Sequence, residues 1–261
     1  MSEIIAIANQ KGGVGKSTTS INLSAAIAHC GQDCLIIDLD PQGNTTSGLG
    51  LNKSEVTHGI YNNLVEQTSP EKTIKGTSVE LLDIIPSSVD MIGAEMELAD
   101  LFSRETRMRE TLKSIKNSYS FIIIDCPPSL GLLTINALAA ANSVLIPIQG
   151  EYYALEGLAQ FIEAVKRIQE SLNPGLKVEG GVLTMFDPRF TLAVQVKNEL
   201  GAFFGDSLFK TYIPRTVRLA EAPGFGKTIF QYDPRSKGSE SYLSLAGELL
   251  TRRGWKGMRL N

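Results

Sequence analysis

The sequence predicts a doubly wound α/β fold, a mostly parallel sheet with helices on both faces, built as a single domain over residues 1–261. Three observations carry that expectation. Apolar runs of strand length, rich in Ile, Val and Leu, recur along the chain, as strands buried on both faces require. Longer segments with helical spacing alternate with them. The first apolar run is followed at once by a glycine-rich loop, which such a fold places at the carboxyl end of a strand. No Pro/Gly/Ser-rich linker and no internal repeat divides the chain.

The elements follow in order. Ile4–Ala8 predicts the first strand and Ser17–His29 the first helix, with Lys11-Gly12-Gly13-Val14-Gly15-Lys16-Ser17-Thr18 between them. Glycines let backbone N–H groups turn inward toward phosphate oxygens, where a Cβ would obstruct. The helix that follows adds its positive end at the same anion. Lys16 reaches β/γ-phosphates in such a loop, and the Ser17 hydroxyl suits Mg²⁺, which takes oxygen ligands and keeps several waters. One irregularity stands out. The usual pattern opens with Gly, but Gln10 holds that position here and Lys11 opens the loop. A lysine at each end is one cation more than a single nucleotide site uses, which points to a second site in a second subunit.

Cys34–Leu39 predicts a second strand, running into Asp38-Leu39-Asp40-Pro41-Gln42-Gly43-Asn44. Leu81–Ile85 predicts another strand, and Glu95–Asn117 a helix. Phe121–Ile124 then leads into Asp125-Cys126-Pro127-Pro128-Ser129. An Asp that ends an apolar strand can hold a water of the Mg²⁺ shell, which suits Asp38 and Asp125. Asp40, placed just before Pro41, is positioned to orient the water that attacks the γ-phosphate. Helices are expected at Gly131–Ala141 and Leu155–Leu172, and strands at Val144–Ile148, Gly181–Met185 and Leu208–Ile213.

Composition narrows the function. Hydrophobic residues make up 43% of the chain, an ordinary globular share. No apolar run approaches the roughly 18 residues of a membrane span. The first strand begins at the N-terminus, leaving no room for a signal peptide. Cys30, Cys34 and Cys126 are unpatterned and read as buried free thiols in a reducing cytosol. No His/Cys cluster has zinc spacing: His29 closes a helix and His58 sits in a polar loop. Phe186, Phe203-Phe204 and Tyr152-Tyr153 read as core or rim packing rather than base-stacking platforms. The net charge of −3 divides into −8 over residues 1–160 and +5 over residues 161–261. A basic C-terminal part is compatible with a localised anion-binding face.

Taken together, Lys11–Thr18, Asp38–Gly43 with Thr45-Thr46-Ser47-Gly48-Leu49-Gly50, and Ile123–Gly131 make the chain resemble the ParA/Soj branch of the deviant Walker A ATPases. The resemblance continues through Thr134–Leu138, Glu151–Gly157, Ile213-Pro214-Arg215, Val217–Pro223 and Tyr232–Ser236, so it covers nearly the whole chain. With the loop starting about ten residues from the N-terminus, the chain is similar to the short, chromosomal type, without a preceding DNA-reading domain.

The resemblance implies a cytoplasmic, nucleoid-associated ATPase with ATP and Mg²⁺ as cofactors. ATP forms a sandwich homodimer in which Lys11 reaches the partner subunit's phosphates. The dimer binds double-stranded DNA without sequence preference, and a ParB-type centromere-binding protein stimulates hydrolysis and release. Gly12, Gly13, Val14, Gly15, Lys16, Ser17 and Thr18 hold phosphate, with Ser17, Asp38 and Asp125 at the metal. Lys11, Lys16 and Asp40 are catalytic, and Pro214 and Thr216 lie near the adenine. Arg189, Arg218, Arg215, Arg235 and Lys237 contact DNA. The chain departs from the family pattern at Phe190, which follows Arg189, at Thr216, where Asn is common, and at Gly150.

The alternative on the same scaffold is a MinD-like membrane ATPase. It needs an amphipathic C-terminal helix, and Gly254 and Gly257 in the tail 251–261 oppose one. An iron–sulfur reductase lacks its cluster cysteines, and a tyrosine-kinase relative lacks a terminal tyrosine cluster.

Overall fold

A computed structural model describes residues 2–151 and 154–255. Tyr152, Tyr153 and tail residues 256–261, on which two of the expectations above fall, lie outside the described residues. The elements run β1 (Glu3–Ile7), α1 (Lys16–His29), β2 (Cys34–Asp38), α2 (Asn44–Gly48), α3 (Ile60–Leu64), β3 (Lys75–Gly76) and β4 (Leu82–Ile85). Then come α4 (Ala94–Ala99), α5 (Arg107–Leu112), β5 (Phe121–Asp125), α6 (Leu132–Ala140), β6 (Ser143–Gln149), α7 (Ala154–Ser171) and β7 (Lys177–Thr184). The chain continues through α8 (Thr191–Phe204), α9 (Val217–Glu221), α10 (Ile229–Tyr232) and α11 (Lys237–Arg252).

The strands form one seven-stranded sheet in the order β3-β4-β2-β5-β1-β6-β7. Only the short β3 is antiparallel to its neighbour. Alternation along each strand divides the core in two. Ile4, Ala6, Leu35, Ile37, Ile122 and Ile124 face one side, packed against apolar residues of α4 to α8. Ile5, Ile7, Cys34, Ile36, Phe121 and Ile123 face the other, against α1, α10 and α11. This is the doubly wound arrangement. After β1 the chain crosses to β2 on one side, and after β5 it crosses to β6 on the other, so the ends of β1 and β5 flank the switch point where such sheets open a crevice. All three cysteines are buried and free.

Two expected elements are corrected. The predicted helix Glu95–Asn117 is broken into α4 and α5, with Ser103 at φ +55° between them. The break is held from outside the segment. The Asn136 side chain on α6 donates to the Arg104 carbonyl at 2.6 Å and accepts the Met108 N–H at 3.1 Å. The predicted strand Leu208–Ile213 does not form. Phe209 and Ile213 donate to β7 carbonyls, but the amides between them, Lys210 and Thr211, donate to the Glu248 carboxylate of α11 at 2.9 and 3.0 Å. A carboxylate that takes consecutive amides leaves no ladder for a strand. The strand expected at Gly181–Met185 begins earlier, at Lys177, and the register shifts between Val144 and Leu145 of β6, opposite Glu179. Phe186 is buried and Phe204 packs on the core, as expected, whereas Phe203 is half exposed.

Candidate functional site

The glycine loop leaves β1 and is pinned by the neighbouring strands. Asn9 donates from its side-chain amide to the Pro147 carbonyl of β6 at 2.8 Å and accepts the Lys11 N–H at 3.0 Å. Thr184, the last residue of β7, donates its hydroxyl to the Val14 carbonyl at 2.7 Å. Gly13 and Gly15 have φ of +73° and +85°, a conformation glycine adopts without strain, and Gly15 forms the N-cap of α1. The Lys16 side chain folds back into the loop, where its ammonium donates to the Lys11 carbonyl at 2.9 Å. Burial pushes its pKa down, while the nearby Asp125 and Asp40 carboxylates oppose that shift.

Three carboxylates close the far wall. Asp38 and Asp125 end β2 and β5 as registered neighbours and are fully buried. Asp125 accepts the Ser20 hydroxyl at 2.9 Å and the Thr45 hydroxyl at 2.7 Å. Asp38 accepts both the hydroxyl and the N–H of Thr46, at 2.6 and 2.7 Å. Burial raises both pKa values. For Asp38 the nearby Asp125 charge adds to that rise, and for both groups the hydroxyl donors oppose it. Asp40 is nearly buried and fixes its own turn, accepting the Gln42 N–H at 2.9 Å. Its carbonyl accepts the Ser87 hydroxyl at 2.9 Å.

Lys16 and Asp40 line a cavity of about 530 Å³ together with Gly13, Gly15, Ser17 and Thr18, among others; Asp38 and Asp125, fully buried, are not in its lining. A second cavity of about 370 Å³ starts at the same Gly13, Gly15 and Thr18 and runs between Pro214, Thr216, Leu219 and Tyr242. The two cavities meet at Gly13, Gly15 and Thr18; one is polar, with Lys16 and Asp40, and the other is largely apolar. Among the described residues no three His, Cys, Asp or Glu side chains converge on a metal position. The donor set is hydroxyl and carboxylate oxygen, which fits Mg²⁺ held mainly by phosphate and water. A larger cavity, about 1190 Å³ between α8 and α11, does not touch the loop.

Lys11 does not line its own cleft. It pairs with Glu151 just past β6, on the surface. Of the basic residues expected at DNA, Arg189, Arg215 and Lys237 line one open groove of about 780 Å³, and Arg218 and Arg235 lie outside its lining. Arg189 is bound to Asp187, with contacts from 2.6 to 3.1 Å, and Arg218 pairs with Glu221 at 3.2 Å and Asp233 at 3.5 Å. Arg215, Arg235 and Lys237 have no ion pair among the described residues. Reading the residues one by one missed Asn9, Ser20, Thr45, Thr46, Glu151, Thr184 and Tyr242. Thr45 and Thr46 sit in the run that carries the resemblance, and that was the signal available for them.

Comparison with known proteins agrees with this geometry. A family model described as an AAA domain matches residues 2–178. The chain is 54% identical to the sporulation initiation inhibitor protein Soj of Bacillus subtilis, over 95% of this chain and 98% of that one. It is 50% identical to the chromosome partitioning protein ParA of Myxococcus xanthus, over 95% and 88% of the two chains. Among solved structures, a cobyrinic acid a,c-diamide synthase from Mycobacterium smegmatis with bound ADP and magnesium superposes with a TM-score of 0.85 at 32% identity, over 99% and 97%. These two relatives share far more of the sequence than that neighbour does and match this chain nearly end to end. The loop that opens with a lysine, the paired strand-end aspartates and this end-to-end similarity place the chain in the Soj/ParA family of chromosome-partitioning ATPases.

Proposed function

We propose that the protein is an ATP-driven switch for DNA segregation. ATP occupies the cleft with its base between Pro214, Thr216 and Tyr242 and its phosphates on residues 12–18. Lys16 exchanges the Lys11 carbonyl for β/γ-phosphate oxygens. Ser17, with Asp38 and Asp125, would hold Mg²⁺, which would supply charge neutralisation at the phosphates. Asp40 orients a water in line with the γ-phosphate. The water oxygen bonds to phosphorus as the bond to the ADP oxygen breaks, and the proton leaves toward Asp40.

Lys11 lies outside its own cleft, so it is available to a second subunit once Glu151 releases it. The ATP dimer then presents two copies of the basic groove to double-stranded DNA without sequence preference, and a ParB-type protein accelerates hydrolysis and release. We read the chain as one domain acting at the nucleoid in the cytoplasm. The single observation that carries the reading is the pair of cavities meeting at Gly13, Gly15 and Thr18, one polar at Lys16 and Asp40 and the other apolar at Pro214 and Tyr242, with the basic groove alongside. The test is retention of two unrelated duplexes with ATP, with ADP and without nucleotide. Retention of both duplexes with ATP alone is expected, and equal retention in all three conditions overturns the switch.

A further inference from the structure

The apolar end of the cleft and the basic groove share a wall. Pro214, Arg215 and Thr216 line both cavities. This strip is anchored at each end. Ile213 donates to the Leu183 carbonyl at 2.8 Å and accepts the Phe186 N–H at 3.0 Å. Thr216 accepts the Leu219 N–H on its hydroxyl at 3.2 Å and so caps α9. Between the anchors the exposed Arg215 side chain makes no hydrogen bond or ion pair among the described residues. The partition continues on both sides of the strip. In α9, Val217, Leu219 and Ala220 face the apolar cavity, while Arg218 is absent from its lining. In α11, Tyr242 faces the apolar cavity, and Lys237 and Glu240 face the groove. Tyr242 is itself tied to α1, its hydroxyl 3.3 Å from that of Thr19.

Groups that a nucleotide base would touch are therefore one residue, or about one helical turn, from groups that would touch an anion in the groove. The groove also contains a cation that the sequence did not single out. Lys210 is exposed, its amide is held by Glu248, and it lines the groove with Arg189, Arg215 and Lys237.

We propose that the strip Pro214–Thr216 couples the two cavities within one subunit. Filling the apolar cavity sets Arg215 for a polyanion in the groove, and Lys210 is a further contact for that polyanion. The identity of the polyanion as DNA rests on the reading above; the coupling does not need a dimer. Linkage makes the effect reciprocal, so a polyanion in the groove must tighten nucleotide binding by the same factor.

The experiment uses the unaltered chain at concentrations where sedimentation shows a monomer throughout the titration. A fluorescent ATP analogue is titrated with and without a heparin octasaccharide, a sulfated polyanion that carries no bases. Nucleotide affinity should rise about fivefold or more with heparin, the lower end of common allosteric couplings. Adding Lys210→Glu or Arg215→Ala should abolish the rise. An unchanged affinity in the monomer assigns all nucleotide dependence to subunit assembly and overturns the proposal. A rise that survives Lys210→Glu places the polyanion elsewhere and overturns it too. Failure of the DNA reading is distinguishable, because heparin would then shift nucleotide affinity in a protein that retains no duplex.

Discussion

Lys16 and Asp40 face the same cavity and do different work. Lys16 is a buried cation whose only described hydrogen-bond acceptor is a carbonyl of its own loop, so an incoming phosphate gains a charge-assisted bond at a preformed position. Lys16→Ala should weaken ATP binding about a hundredfold, because a hydrogen bond between charged groups contributes about 1.5–3 kcal/mol and the buried charge is lost with it. Equilibrium titration with labelled ATP reads this, and affinity like that of the unaltered chain would remove Lys16 from the phosphate site. Asp40 lies across the cavity with one oxygen already used on the Gln42 N–H. Asp40→Asn keeps an acceptor for that turn but gives up the charge. ATP affinity should stay within about threefold while phosphate release slows at least a hundredfold, the scale of a lost general base. Slow release with equally weak binding would make Asp40 a binding residue instead.

At the scale of elements, the cleft depends on β7 ending where Thr184 can hold the loop. Gly180 is the position that allows this. Its φ is +147°, and a Cβ there would overlap the Ser207 carbonyl oxygen, a backbone atom with little room to move. It follows the register shift opposite Glu179, whose carboxylate binds Arg253 at the end of α11. Gly180→Ala should lower unfolding free energy by about 3 kcal/mol, through strain and overpacking together. Urea denaturation measures it, and a change below about 0.5 kcal/mol, the level of an ordinary surface substitution, would mean the β7 backbone can relax.

Across the whole molecule, charge is arranged rather than merely abundant. The net of +5 in residues 161–261 includes Arg189, Arg218, Arg252 and Arg253, each tied to a carboxylate in the structure. Arg215, Lys210 and Lys237 are the groove cations without such a pair among the described residues. A paired arginine must give up its partner before it neutralises a phosphate, so Arg215 should matter more than Arg218. Each phosphate contact adds roughly 0.9 to the slope of log K against log salt, and two-fold symmetry doubles it. Arg215→Glu should therefore lower the slope by about two units in the ATP dimer, and Arg218→Glu by less. Duplex affinity across a salt series decides it, and a larger loss for Arg218→Glu would show that Glu221 and Asp233 release it on binding.

Local rules were enough for what is local. Periodicity of two and of 3.6 located β1, β2, β5, β6, α1, α6 and α7, and the order of these elements implied the doubly wound sheet. The loop 11–18 and the aspartates at strand ends could be picked out in the sequence because a glycine-rich turn after an apolar run, and an Asp closing one, are patterns of neighbouring residues. Contacts between distant segments decided the rest. Asn136 breaks a segment with continuous helical spacing into α4 and α5, and Glu248 takes the amides that a strand at Leu208–Ile213 would have used. A side chain's partner roughly thirty to forty residues away leaves no trace in the period of the segment it alters. The pairing of Lys11 with Glu151, and the placing of Pro214–Thr216 between two cavities, likewise exist only once the fold has brought those segments together.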